Sequence, residues 1–160
     1  MTAPNLLDAV RVVKENERTA TQNYAEAAKK IDNPLGKHLF EELSKFEAYH
    51  FEQLTALERS LVASGEFINY KEREFPQPPV FEVKAALEPN AKSLMTIITQ
   101  AIDLEKEAEK AYADLASSTT DPRGHDMFTQ LSEEEHKHFR LLTDAYWTLS
   151  NFGEWKYIRP

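Results

Sequence analysis

The chain has 160 residues, 41% of them hydrophobic, which is enough for one buried core and short for two domains. Its formal charge of −8, with acidic residues scattered among lysines, gives no basic stripe to neutralise phosphates, so nucleic acid and anionic membranes are poor partners. The absence of cysteine excludes a disulfide framework, a thiol nucleophile, an iron–sulfur cluster and a thiolate metal knuckle, and any metal must be held by nitrogen and oxygen.

Residues 1–5 form no charged leader followed by an apolar run, and no stretch approaches the ~18 apolar residues of a membrane span, so a cytoplasmic location is expected. Asn5 is a good helix N-cap, with Asp8 three positions later, and a first helix is predicted from there to about Ile31. Leu6, Val10, Val13, Ala20, Tyr24 and Ala28 or Ile31 recur at threes and fours, the buried stripe of a bundle helix. Glu17 falls inside that stripe, where a carboxylate is costly unless it is paired or bound to a cation. Asn33 and Pro34 supply an N-cap and a first-turn proline, so the loop is very short and helix two folds back antiparallel. Helix two carries Leu39 or Phe40, Leu43, Glu47, His50, Leu54, Leu57 and Leu61 on one face and should stop by Gly65.

Residues 66 to about 90 break the pattern with Pro76, Pro78, Pro79 and Pro89, but they also hold Phe67, Tyr70, Phe75, Val80 and Phe81, aromatic and apolar groups that want a surface to cover. Extended chain of ~25 residues spans roughly 80 Å, against roughly 38 Å for a helix of that length, so this connection can cross the whole bundle. Helix three is predicted to begin between Asn90 and Ser93, with Leu94, Ile98, Ala101, Glu105, Ala108, Tyr112 and Leu115 on its buried face. Asp121 and Pro122 cap helix four, whose buried face is Phe128, Leu131, Glu135, His138, Leu142, Ala145 and Leu149. The tail, 151–160, holds Phe152, Trp155 and Tyr157 and is expected to pack on the bundle or on a second copy of it.

The second half repeats the first. Glu47-x-x-His50 recurs as Glu135-x-x-His138, both members displaced by 88 positions (135 − 47 = 138 − 50 = 88). Without a gap, the same shift lays Leu6 on Leu94, Glu17 on Glu105, Tyr24 on Tyr112, Pro34 on Pro122, Gly36 on Gly124, Phe40 on Phe128 and Leu54 on Leu142. The predicted fold is all-α: a single domain over 1–160 made of two helical hairpins related by a pseudo-two-fold axis, up-down-down-up, with the long crossover between them.

Residues three apart on a helix share a face, so each Glu-x-x-His presents an oxygen and a nitrogen toward one point. With Glu17 and Glu105, four helices aim four carboxylates and two imidazoles inward. Four buried carboxylates carry four negative charges that two divalent cations would cancel, whereas no lysine or arginine occupies the buried stripes to do so. A single Glu-x-x-His is weak evidence for metal, since acidic helices contain such pairs by chance; two in register, with two further buried glutamates repeating at the same shift, are much stronger. Other two-metal sites hold their ions roughly 3.5 to 4 Å apart. Tyr24 and Tyr112 fit two readings, as phenols that steady carboxylates or as plain core tyrosines. His136 points about 100° away from Glu135 and is expected in solvent, as are His38 and His125 near helix starts and Glu133 and Glu134 beside the motif. Trp147 and Trp155 are expected in packing or dimer contacts.

The set Glu17 with Tyr24, Glu47-x-x-His50, Glu105 with Tyr112, and Glu135-x-x-His138 resembles the ferritin-like di-iron carboxylate family, specifically its rubrerythrin branch, over roughly residues 5 to 150. That family takes one glutamate from each of two helices and a Glu-x-x-His from each of the other two. The resemblance implies that Glu47 and Glu135 bridge two iron ions, that Glu17 and Glu105 are terminal ligands, and that His50 and His138 each complete one ion. It also implies a di-iron peroxidase or oxidase that reduces hydrogen peroxide or dioxygen. This chain departs from the rubrerythrin pattern at Ala108, where that branch carries a further glutamate. It also lacks the four-cysteine rubredoxin domain, so electrons must come from an external donor such as a rubredoxin-like protein or a small molecule.

Other functions compatible with these residues are ferritin-type iron binding or storage, oxygenation of an organic substrate, and a metal-stabilised interaction module without catalysis. Nitrogen and oxygen ligands also accept manganese or zinc. A homodimer is expected, and the crossover or tail permits exchange between subunits.

Overall fold

The structure is a computed structural model that describes residues 3–74, 86–87 and 91–155. Four helices make the bundle: α1 (Ala3–Lys29), α2 (Pro34–Ser64), α3 (Ala91–Ser118) and α4 (Pro122–Phe152). Two two-residue strands, β1 (Ala86–Leu87) and β2 (Glu154–Trp155), pair antiparallel, Ala86 opposite Trp155 and Leu87 opposite Glu154. This is the ferritin-like four-helix bundle expected from the repeat.

The caps repeat with the sequence. Asn33 and Asp121 each sit in extended backbone and accept a hydrogen bond from the amide two residues on, while Pro34 and Pro122 open their helices without losing a needed donor. At the far ends Gly65 (φ 73°) and Gly153 (φ 64°) take the left-handed conformation and donate to Leu61 and Leu149. The first helix begins earlier than predicted, at Ala3, with Asn5 inside it. Pro4 does not prevent this, since a first-turn residue has no intrahelical partner for its amide. It ends at Lys29, two residues before Ile31, as tighter three-residue bonds from Lys30 and Ile31 close the last turn. At the other end of the chain α4 runs on to Phe152, so the tail begins beyond it.

Each hairpin is antiparallel and held alike: Ser44 donates to the Thr21 carbonyl at 2.9 Å, and its repeat partner Ser132 to the Glu109 carbonyl at 3.0 Å. The hairpins lock reciprocally. A Cβ at Gly36 would stand 2.5 Å from the Trp155 indole, and one at Gly124 would stand 2.5 Å from the Phe67 ring. The aromatic that follows the end of each hairpin therefore covers the glycine that opens the second helix of the other. Burying Phe67 in this way contributes about 1.5–3 kcal/mol relative to leaving it in water.

Chain direction follows from these contacts. The connection leaves α2 beside Gly65, and by Ala86 it pairs with the strand holding Trp155, at the end where α2 began. It has crossed the bundle, and α3 then runs in the same direction as α2 while packing beside α1, giving the up-down-down-up order. The apolar core lies in two clusters, one around Phe40, Leu43, Ile98 and Leu142, the other around Leu54, Leu57, Phe128 and Leu131. Phe75, Val80, Phe81, Tyr157 and the prolines 76, 78, 79 and 89 lie outside the described residues.

Candidate metal centre

Between the two apolar clusters sit six polar residues at or below 2% exposure: Glu17, Glu47, His50, Glu105, Glu135 and His138. Every candidate ligand predicted from the sequence is brought to this one place. Their ligating atoms fall into two sets, each within 4.8 Å: Glu17, Glu47, His50 and Glu135, and Glu47, Glu105, Glu135 and His138. Glu47 and Glu135 belong to both. The imidazoles turn Nδ1 inward, His50 lying 3.1 Å from Glu135 and 3.4 Å from Glu17, and His138 lying 3.0 Å from Glu47 and 3.7 Å from Glu105.

The donor set fits divalent cations on its own chemistry. Among the described residues, buried Glu17 Oε2, Glu47 Oε1, Glu105 Oε2 and Glu135 Oε1, with His50 Nδ1, make no hydrogen bond of good geometry despite these short approaches, and leaving such groups unmet is costly unless an ion supplies the missing contact. Burial, followed by repulsion from neighbouring carboxylates, pushes the Glu47 and Glu135 carboxyls well above the usual range. Burial also works against Glu17, but close approach to Glu47 and His50, the charge of His50 and the Tyr112 bond outweigh it and hold that carboxyl low. His50 is driven up: burial disfavours its cation, and Glu17, Glu134 and Glu47 more than reverse that. Hard oxygen ligands with two imidazoles suit iron, manganese or zinc.

Tyr24 and Tyr112 are not plain core tyrosines. Tyr24 donates to Glu105 Oε1 at 2.5 Å, and Tyr112 to Glu17 Oε1 at 2.7 Å. Each phenol thus crosses to the glutamate of the other half; Glu17 turns its second oxygen to His50, 3.4 Å away, whereas the Glu105 oxygen that Tyr24 holds is also the one 3.7 Å from His138. Burial and the adjoining carboxylates raise both phenols, so they remain donors.

The sequence expectation fails at Glu134, which is 2% exposed rather than part of a solvated face. Tyr70 donates to its Oε2 at 2.6 Å, the Arg73 amide donates to its Oε1 at 3.1 Å, and His50 Nε2 lies 3.4 Å away. Burial opposes ionisation of Glu134, but the charge and nearness of His50, with the Tyr70 and Arg73 bonds, hold its carboxyl below the usual range. Periodicity could not supply those partners, which come from the crossover. The available signal was the repeat itself, because Glu134 falls on Phe46, an apolar residue at an inward position. Glu133 and His136 are exposed as expected, with His136 Nδ1 3.1 Å from Glu109; His125 is exposed, and His38 is half-buried rather than in solvent. Trp155 packs in the core, whereas Trp147 is 59% exposed and meets Phe152.

A cavity of about 160 Å³ opens between α1 and α3 onto the cluster, with Val13, Ala20, Leu104, Ala108 and Ala111 on its walls and all four inner glutamates among its lining residues. Ala108 stands where the rubrerythrin pattern has a carboxylate, and the space left is part of this opening.

Fold and site together define a helical bundle built around a buried carboxylate–histidine cluster able to hold metal. The family model for rubrerythrin matches residues 15–146, and the chain belongs to the rubrerythrin family. Comparison with curated proteins and with solved structures returns no match. Among the described residues no helix is long and apolar enough to cross a membrane.

Proposed function

We propose that this protein is a non-haem di-iron oxidoreductase that reduces hydrogen peroxide, and dioxygen more slowly, with electrons from an external donor. The observation that carries the proposal is the pair of overlapping ligand sets sharing Glu47 and Glu135 at the inner end of a small cavity. In this reading Glu47, Glu135, Glu17 and His50 would hold one ion, and Glu47, Glu135, Glu105 and His138 the other. Bound ferrous iron would supply the two electrons by which peroxide and two protons give two waters.

The protein's own residues set the conditions for that exchange. Tyr24 and Tyr112 each hold one oxygen of Glu105 and Glu17, limiting how these carboxylates swing. The cavity, about 160 Å³ and lined by apolar, amide and acidic side chains, has room for molecules of the size of peroxide or dioxygen. Ala108 keeps the entrance open on the side of Glu105 and leaves that side one carboxylate short of the rubrerythrin pattern. Electrons are delivered in trans, and the chain works as a homodimer in the cytosol.

Anaerobic stopped-flow of the ferrous-loaded protein against each oxidant tests the proposal. Oxidation by peroxide should be rapid in the wild type and lost in Glu47→Ala and Glu135→Ala. A wild type no faster than these variants toward both oxidants would replace the enzyme with a metal-binding module.

A further inference from the structure

We propose that Glu134 is a positioning residue for His50: its carboxylate takes the hydrogen on Nε2 and so keeps Nδ1 turned, as the electron-pair donor, toward Glu17 and Glu135. The role rests on the reading that the six inner residues hold two ions.

Glu134 is buried, and both of its oxygens are fixed from outside the helix that carries it: Oε2 by the Tyr70 hydroxyl and Oε1 by the Arg73 amide. Both donors belong to the stretch that follows α2, so one carboxylate ties α4 to the crossover and faces the outer edge of an imidazole on α2. The segment is itself anchored. The Arg73 guanidinium lies 5.0 Å over the Phe46 ring and 3.6 Å from Glu42, and Tyr70 stacks on Tyr49 at 6.1 Å. A carboxylate oxygen has lone pairs for more than one donor, and the group facing Glu134 Oε2 is His50 Nε2, 3.4 Å away. That separation exceeds the ~2.9 Å of a formed bond, and a small rotation of the imidazole or the carboxylate closes it.

A histidine that binds metal through one ring nitrogen almost always gives the hydrogen on the other to a carboxylate, carbonyl or water, which fixes the tautomer and makes the ligating nitrogen more basic. Glu134 is placed to do this for His50. The repeat makes the role one-sided, since the corresponding residue is Phe46, whose ring meets the His138 ring edge-on at 4.5 Å. Phe46 also lies edge-on to His50 at 5.5 Å, so what sets His50 apart is the Glu134 carboxylate, which has no carboxylate counterpart at the repeat-related position.

Zinc, which is diamagnetic, is the probe. The full metal-free chain is titrated with zinc chloride by calorimetry, and the zinc-loaded protein is then examined by imidazole ¹H–¹⁵N NMR. The wild type should bind two zinc ions and show a protected His50 Nε2 hydrogen. Glu134→Leu should weaken one ion by about 10- to 100-fold, leave the other unchanged and lose the His50 Nε2 signal. Glu134→Gln, which keeps an acceptor oxygen, should restore that signal. Should the leucine variant not fold, Tyr70→Phe carries the test and should weaken the same ion alone. Unchanged affinities with the His50 signal intact would overturn the proposal, as would equal weakening of both ions. A wild type that binds no zinc would overturn the metal reading itself, and this role with it.

Discussion

The inner ring of the site and the layer behind it obey different rules. Within the ring the two halves match residue for residue: Glu17 with Glu105, Glu47 with Glu135, His50 with His138, and Tyr24 with Tyr112, each tyrosine reaching across to the other half's glutamate. Behind the ring the match breaks at Phe46 and Glu134, where the first lies edge-on to both imidazoles and the second faces His50. A duplicated hairpin explains the first pattern. The second depends on the crossover, since Tyr70 and Arg73 meet Glu134 on one side of the bundle. Symmetric candidate ligands with asymmetric support would give two ions similar first neighbours and different surroundings.

The largest effects should come from the shared glutamates, which belong to both ligand sets. Glu135→Ala should cost both ions, so metal analysis after dialysis should fall from two per chain to well below one, whereas exposed His136→Ala should stay near two. Equal loss from both variants would mean that the helix register is misassigned.

Next in size is the pH response of the metal-free protein. Glu47, Glu135 and His50 have carboxyl and imidazole groups raised on folding, so above about pH 6.5, the ordinary histidine value, the folded state holds protons that the unfolded chain has released. Stability contributed by a raised group is present below its unfolded value and lost as pH rises through its folded value. Melting temperature should therefore fall as pH rises from 6.5, and the increase on adding zinc should grow over the same range, because binding displaces those protons. A zinc-induced shift that shrinks with rising pH would contradict this.

Tyr24→Phe and Tyr112→Phe probe the matched part of the comparison. Each removes a buried hydrogen bond to a carboxylate, costing about 1.5–3 kcal/mol in urea unfolding of the metal-free chain, and the two costs should be alike. A large difference would show that the halves are unequal even inside the ring. Gly36→Ala and Gly124→Ala should cost about 1–3 kcal/mol each by overpacking, since Trp155 and Phe67 occupy the space a methyl needs. The smallest effect belongs to the surface. Glu58, held low chiefly by hydrogen bonds from Lys14 and Arg11, contributes stability only above its ordinary value, and Glu58→Gln should cost under about 1 kcal/mol, vanishing in acid.

The helices, their caps and the ligand ring were legible in the sequence because each is encoded locally and then written twice. Asn33 and Asp121, Gly65 and Gly153, and Glu-x-x-His at 47 and 135 recur at one spacing, and repetition separates a buried glutamate from a chance one. Glu134 was obscured because its burial arises from residues 70 and 73, far away in the chain. The partners of Tyr24 and Tyr112 were hidden for a related reason: spacing along a helix places each near the glutamate of its own half, but packing of α1 against α3 delivers it to the other. The early start of α1 shows a weaker signal overridden, since Asn5 has the chemistry of a cap and helix nevertheless forms ahead of it.

The account stands most directly on whether the two halves close around one pair of ions. Crystals of the anaerobically iron-loaded protein, measured at the iron absorption edge, would decide this through anomalous scattering. Two peaks are predicted per chain, one beside Glu17 and His50 and the other beside Glu105 and His138, with Glu47 and Glu135 touching both. A single peak, or none within the ring of six, would contradict it.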